Sequence, residues 1–419
     1  FGLGSNSSLF RFIPVFYQRI GLDNGRIGFM QLCVPWITFL SSLGWAALCD
    51  RLGEYKRVLV VSNSVGAAAI CCLLLGPVHT HFAGVCACMF AGSAFLASRT
   101  GVVDALTLRV VRDYEEARAQ GRSEAAGGEL PSYGPQRLWG AAGYGIFGLL
   151  SGVGADAFGD GAMFVLFGAC LATTVLIVAS QLPSRGAVKP AGARAAGSQS
   201  PGGGPRSRFR MAWFFANLVV YGMHTSLIES FLFVYASRDF PGASRGLLGA
   251  SVAIMCVSEL PVFFYDRRFL DRFCVTSLLT SCELVLAMEL LAYSAVPRGA
   301  PWLILLIAPL HGVTMAAAWS CSVEFGRQLA PPGAEARVQA LVSGVYYRVA
   351  QGLGACAWGV LTRPPPAGCG FSAMYAAAGG TILLWAVVWN AGWALHALAV
   401  RGVSGRTAPG PLGDALLRG

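Results

Sequence analysis

Eleven ionisable side chains lie inside stretches that are otherwise apolar: Arg11, Arg99, Asp104, His224, Glu229, Glu259, Glu283, Glu289, His311, Glu324 and Arg348. A charge among hydrocarbon neighbours is expensive, so each needs a partner, water or a task. Guanidinium stays charged even when poorly solvated, so Arg11, Arg99 and Arg348 are candidate donors to a polar or anionic solute. Their alternative is an internal pair with a glutamate that holds helices together. Glu229 and Glu259 are candidates for proton coupling, because a carboxyl in low dielectric can load and release a proton as water access changes. His224 and His311 can serve in the same way or contact a solute. Glu259, two residues before Pro261, has a second reading as a cap for backbone groups freed at a helix break.

Spacing groups some of these residues. Tyr221, Thr225 and Glu229 recur every four positions and share one helix face, as do Tyr347 and Gln351. Trp319 is a candidate stacking surface for a solute ring, with core packing as its alternative. Glu283 and Glu289 fit no role in this scheme. Asp104 and Glu324 fall near helix ends, where ion pairs or snorkelling account for them.

The elements that position these groups follow from composition. Hydrophobic residues make up 55% of the 419 and charged residues 12%, against about 25% charged in soluble domains. Mean hydropathy is +0.58. Such a chain cannot build a polar shell, and its stable setting is lipid. Apolar runs long enough to span, about 20 residues each, recur at roughly 1–20, 27–49, 58–76, 82–108, 138–155, 161–182, 211–235, 246–265, 274–295, 302–326, 338–362 and 372–400. The expected fold is all-α, with twelve transmembrane helices in two six-helix bundles, 1–182 and 211–400. A flexible Gly/Ser/Pro/Arg linker at 183–210 joins them, a polar loop covers 109–137, and a tail follows 400. Phe1 begins inside an apolar run without a methionine, so the natural start is expected upstream.

The net charge of +10 comes from scattered basic residues and forms no nucleic-acid patch. Their placement reports topology. If the N-terminus is cytosolic, alternate loops carry 22 of the 31 Lys and Arg residues, the opposite loops carry 6 and the helices 3. Basic residues stay cytosolic, so both termini are expected there, with the particular membrane unspecified. Thirteen cysteines inside apolar runs argue against a disulfide framework. No Cys or His cluster has zinc spacing, so neither a metal nor a cofactor is expected. Trp139, Trp302, Trp389 and Trp393 lie toward helix ends, where aromatic belts form. Gly148 and Gly152, four apart, are read first as close-packing positions.

Between the second and third runs stands "ALCDRLGEYKRVLVVS", whose Asp50, Arg51, Gly53, Lys56 and Arg57 match in kind the signature loop of the major facilitator superfamily. Ala46 replaces the loop's first glycine and Glu54 an arginine. "SLFRFIPVFYQRIGLDNGRIG", "VVDALTLRVV", "YGPQRLWGAAGYGIFGLLSGVGAD", "SFLFVY", "SELPVFF", "PLHGVTMAAAW" and "LAPPGAEARVQALVSGVYYRVAQGLGA" resemble, in order, the branch called major facilitator superfamily associated domain proteins. That branch is similar to the lactose-permease-like and nucleoside-symporter groups. The resemblance implies two bundles rocking about a central cavity lined by helices 1, 4, 7 and 10, with Asp50 to Arg57 as a gating loop.

The expected function is secondary active transport of a small polar solute, with proton symport as its finer form. The alternative is a receptor or scaffold using the same fold. An enzyme is not expected, since no His-Glu-x-x-His, nucleophile elbow or Gly-rich phosphate loop occurs.

Overall fold

The computed structural model describes residues 2–52, 54–99, 133–181, 205–330, 335–364, 366 and 368–404. Among them there is no strand. The helices are α1 Gly2–Leu9, α2 Ile13–Arg19, α3 Asn24–Leu52, α4 Tyr55–Cys71, α5 Gly76–His79, α6 Phe82–Leu96, α7 Tyr133–Phe158, α8 Gly161–Gln181, α9 Pro205–Asp239, α10 Arg245–Arg272, α11 Val275–Ala295, α12 Leu303–Leu329, α13 Glu335–Gly344, α14 Gln351–Leu361 and α15 Phe371–Ser404. A π-helical run, Val345–Ala350, joins α13 to α14. All twelve apolar runs are helical over most of their described residues, and eight of the described helices are long and apolar enough to cross a membrane. Large apolar side chains stand exposed along them, among them Leu384, Val387, Leu395 and Leu398 on α15. Such faces suit lipid. The expected 109–137 loop, Asp104 and nearly all of the 183–210 linker lie outside the described residues, as does the tail after Ser404.

Prolines divide these helices in two ways. The first run is interrupted between Leu9 and Ile13, and Pro14 opens α2. Proline has no amide to donate and disfavours helix in the residue before it, so a helix start suits it. Pro35, Pro261 and Pro309 instead lie inside continuous α3, α10 and α12. The helix break expected near Glu259 does not occur.

The helices gather into two compact units. Unit 1 comprises Phe1–Leu22, Met30–Ser198 and Ser244–Ala253. Its aromatic core includes Phe16 edge-on to Phe164 at 5.2 Å and Phe10 to Phe167 at 6.0 Å. Gly66 on α4 and Gly92 on α6 bring two backbones together, since a Cβ on either would lie 3.1–3.2 Å from the other's carbonyl oxygen. A Cβ on Gly152 would collide with the Arg245 carbonyl, and one on Gly148 would press on Val252. Both glycines therefore serve close packing. At the start of α10, Asp156 accepts hydrogen bonds from the Arg245 and Gly246 amides at 2.8 and 2.6 Å. Asp160 bridges Arg19 and Arg245 at 2.6 and 2.9 Å.

Unit 2 comprises Asp23–Phe29, Gln199–Ala243 and Ile254–Gly419. Asp23 accepts from the Gly25 and Arg26 amides at 2.8 and 3.1 Å and from Arg363 at 2.9 Å. It thereby caps the start of α3, leaving fewer orphaned amides. Gly354 packs onto the Met223 backbone, and the Trp358 indole donates to the Met223 carbonyl at 2.6 Å. Trp389 is fully buried and stacked at 6.1 Å on Trp213. It is a core residue between α9 and α15, which corrects its expected place in an aromatic belt; Trp302, 55% exposed, fits such a belt.

Candidate functional site

Unit 2 assembles the richest polar cluster among the described residues. The Tyr221, Thr225, Glu229 row of α9 faces α12 and the π-helical run. Tyr221 donates its hydroxyl to the Thr314 carbonyl at 3.4 Å, and the Thr225 hydroxyl lies 3.2 Å from that of Tyr346. Glu229 reaches His311 of α12, its Oε1 lying 2.8 Å from Nε2. On the other side of the ring, Nδ1 stands 3.1 Å from Oε1 of Glu289. The side chains of His311 and Glu289 are 3% and 0% exposed, and that of Glu229 is 26% exposed.

The chemistry of this arrangement follows from donor counting. Neutral imidazole has one N–H, so it cannot donate to carboxylates on both sides. Either the ring is imidazolium between two carboxylates, or one carboxyl carries a proton and donates to the ring. Both forms keep labile protons in a site with one open edge, at Glu229, and one sealed edge, at Glu289.

Beside this cluster is a small recess lined by Tyr221, Met315, Ala318, Trp319, Ser322 and Tyr346. Trp319 is half-buried there, with its ring 5.1 Å from Tyr347 and 6.0 Å from Tyr346. Tyr346, Tyr347 and Arg348 all belong to the π-helical run. Such wide turns recur at functional sites, because they re-aim side chains relative to an α-helix. Arg348 is half-buried, and no acidic side chain pairs with it among the described residues. A Cβ on Gly222 would clash with Ala350, so glycine lets α9 approach the run.

Unit 1 offers a different site. Arg99, 9% exposed, donates to Ser5 Oγ at 2.7 Å and Asn6 Oδ1 at 2.5 Å. Its described hydrogen-bond acceptors are neutral oxygens on α1. That helix is almost all small residues, "GLGSNSSL", so a guanidinium can reach it. The hydroxyls of Ser5, Ser7 and Ser8 turn back to their own helix. Arg11, also buried, sits in the turn between α1 and α2.

His224, the signature loop and Glu324 have other partners. His224 donates from Nδ1 to the Val220 carbonyl at 2.7 Å, and its Nε2 lies 3.0 Å from the Thr381 hydroxyl, with its ring edge-on to Trp358. The side chain faces α14 and α15, away from the Glu229 row. Glu259 is half-buried on α10. In the signature loop Glu54 and Arg57 pair at 3.4 Å, while Arg51 and Arg57 are exposed and Lys56 half-buried. Gly53 and the Asp50 side chain lie outside the described residues. Glu324 is held by Arg327 at 2.6 Å and Gln328 at 2.9 Å, an ion pair at the helix end.

Sequence reasoning missed Glu289. Its signal was available in part: an acid in an apolar run must find a partner, and histidines there are few. The burial stripe of α11, with Leu279, Leu286, Leu290 and Tyr293 inside and Leu284, Met288 and Leu291 exposed, puts both of its glutamates inward.

The comparisons with known proteins agree with this architecture. A maltose permease of Geobacillus stearothermophilus is 25% identical over 350 residues, 83% of this chain and 81% of that protein. The crystal structure of the nucleoside transporter NupG superposes with a TM-score of 0.70 at 15% identity, covering 94% of this chain and 96% of that one. A peptide transporter POT in complex with sulfate gives 0.67 at 14% identity, covering 93% and 92%. The fold is thus that of major facilitator transporters. Residues 1–364 match the MFS_1 like family, and the chain, a multi-pass membrane protein of the major facilitator type, belongs to that family.

Proposed function

We propose that the protein carries a small polar solute across a membrane by alternating access, coupled to protons through Glu229, His311 and Glu289. One observation carries this reading: an imidazole bound on both sides by carboxylates, one sealed and one open. A proton added at Glu229 neutralises the cluster's excess negative charge and removes an acceptor from His311, so proton occupancy and the helix α9–α12 contact change together. Arg348 and the Trp319, Tyr346 and Tyr347 rings supply a cation and apolar faces for the solute in unit 2. Arg11 and Arg99 supply cations in unit 1. We further propose two six-helix bundles joined by the 183–210 linker, with both termini cytosolic on the 22 to 6 distribution of basic residues.

The relatives guide the choice of probes. Maltose, a nucleoside and a dipeptide are tested in proteoliposomes with an imposed pH gradient. Accumulation of one of them that collapses with the gradient supports the proposal. Accumulation indifferent to the gradient removes the coupling. The second reading, a receptor or scaffold, draws on the size of the recess, about 10 Å³, room for about one water. It gains if no solute of a broad uptake screen is moved.

A further inference from the structure

Glu283 is the one acid of α11 that the cluster above does not use. It is 0% exposed, and neither carboxylate oxygen has a hydrogen-bond partner among the described residues. Its polar neighbour is Asn217 of α9, 2% exposed. The Trp385 indole donates to Asn217 Oδ1 at 2.6 Å. An indole N–H can only donate, so the amide is fixed with its NH2 left for Glu283. One neutral amide cannot compensate a bare carboxylate in a dry interior.

We propose that Glu283 is a second proton-binding carboxyl of unit 2, holding its proton in this state and exchanging it with the Glu289–His311–Glu229 cluster. Glu283 and Glu289 are six residues apart, about 9 Å along the helix axis. Tyr221 of α9 lies within electrostatic reach of both Cys282 and Glu289. The step is a proton transfer alone. Glu283 gives its proton to the Glu289 carboxylate through a hydroxyl or water, becomes charged, and is neutralised again by a proton from water.

The groups facing Glu283 fit this role. Asn217 of α9 meets Glu283 itself and is held by Trp385 of α15, while Tyr221 of α9 and Cys321 of α12 lie by the adjacent Cys282. The charged residues nearest in level on those helices are Arg210, Glu324 and Arg327, and the last two pair with each other. A permanent counter-charge would hold Glu283 ionised through the cycle, and the described residues provide none.

The purpose of this proton rests on the proton-coupled reading, but its test reads proton binding alone, so the two fail separately. The full chain in lipid is titrated under infrared difference spectroscopy. A protonated-carboxyl band present at neutral pH should bleach on alkaline titration and be absent in Glu283→Gln. In Glu289→Gln its midpoint should fall by about one pH unit, the coupling of two carboxylates on the order of 10–14 Å apart at an effective dielectric of about 20. Should Glu283→Gln not fold, Glu283→Asp must move the band instead of removing it. The proposal is overturned if the band is unchanged by substitution at 283. It is equally overturned if the 283 band persists at every pH at which the protein stays folded, since that proton is structural.

Discussion

Arg99 in unit 1 and His311 in unit 2 are both buried basic side chains, yet their surroundings are opposite. Arg99 donates to a serine hydroxyl and an asparagine amide oxygen, both neutral. His311 stands between two carboxylates. A guanidinium with neutral partners keeps its charge for whatever approaches, whereas an imidazole with two acids trades protons with them. The difference separates a fixed charge from a movable one.

Stability separates the two side chains most. His311→Leu leaves Glu289 sealed without its partner and should lose about 3–5 kcal/mol, read as thermal unfolding in detergent. His311→Leu combined with Glu289→Leu should recover most of that. Arg99→Leu leaves only neutral oxygens behind and should lose about 1–3 kcal/mol. Equal losses for the two single variants would erase the distinction. Next in size, Glu229→Gln should leave folding near wild type while abolishing the response of uptake to a pH gradient, with solute exchange retained. A gradient response that survives would move the proton elsewhere. Arg99→Lys replaces a two-pronged contact by a point charge and should lose about 1 kcal/mol, with solute affinity reduced.

The smallest effect concerns Asp23, a carboxylate outside the spanning helices. Partial burial alone would raise its pKa, but hydrogen bonds from the Arg26 amide and the Arg363 guanidinium outweigh it and hold the carboxyl below its ordinary value of 3.8. A lowered folded-state pKa stabilises above the unfolded value and loses that contribution as pH falls through the folded one. Asp23→Asn should therefore lose about 0.5 kcal/mol at neutral pH and nothing further on acidification below pH 3.8, where the wild type weakens. A wild type and variant that melt in parallel across that range would show the contact to be idle.

The membrane helices were legible because burial in lipid needs only length and apolarity, both linear properties of the chain. The Tyr221, Thr225, Glu229 face was legible because helical spacing fixes which residues share a side. What spacing cannot supply is the direction in which that side points. Glu289, on a helix expected to lie outside, meets His311; His224, on a helix expected to line the cavity, meets Thr381. Trp389 was assigned by its position near a helix end and is instead buried, because Trp213 offers it a ring to stack on. Pro14 stands at a helix start and Pro261 inside a continuous helix, a difference that the residue type alone does not announce.

The π-helical run at Val345–Ala350 has a further consequence. A wider turn accommodates a surplus residue without disturbing the helix on either side, so its length is set by the number of codons and not by side-chain identity. Removing a single residue from 345–350 should let the run relax to ordinary turns with Glu335–Gly344 kept in register, whereas the same deletion in a flank would rotate it by about 100°. Single-residue deletions along this helix should be better tolerated inside the run than on its flanks, a reading-frame signature that no substitution would produce.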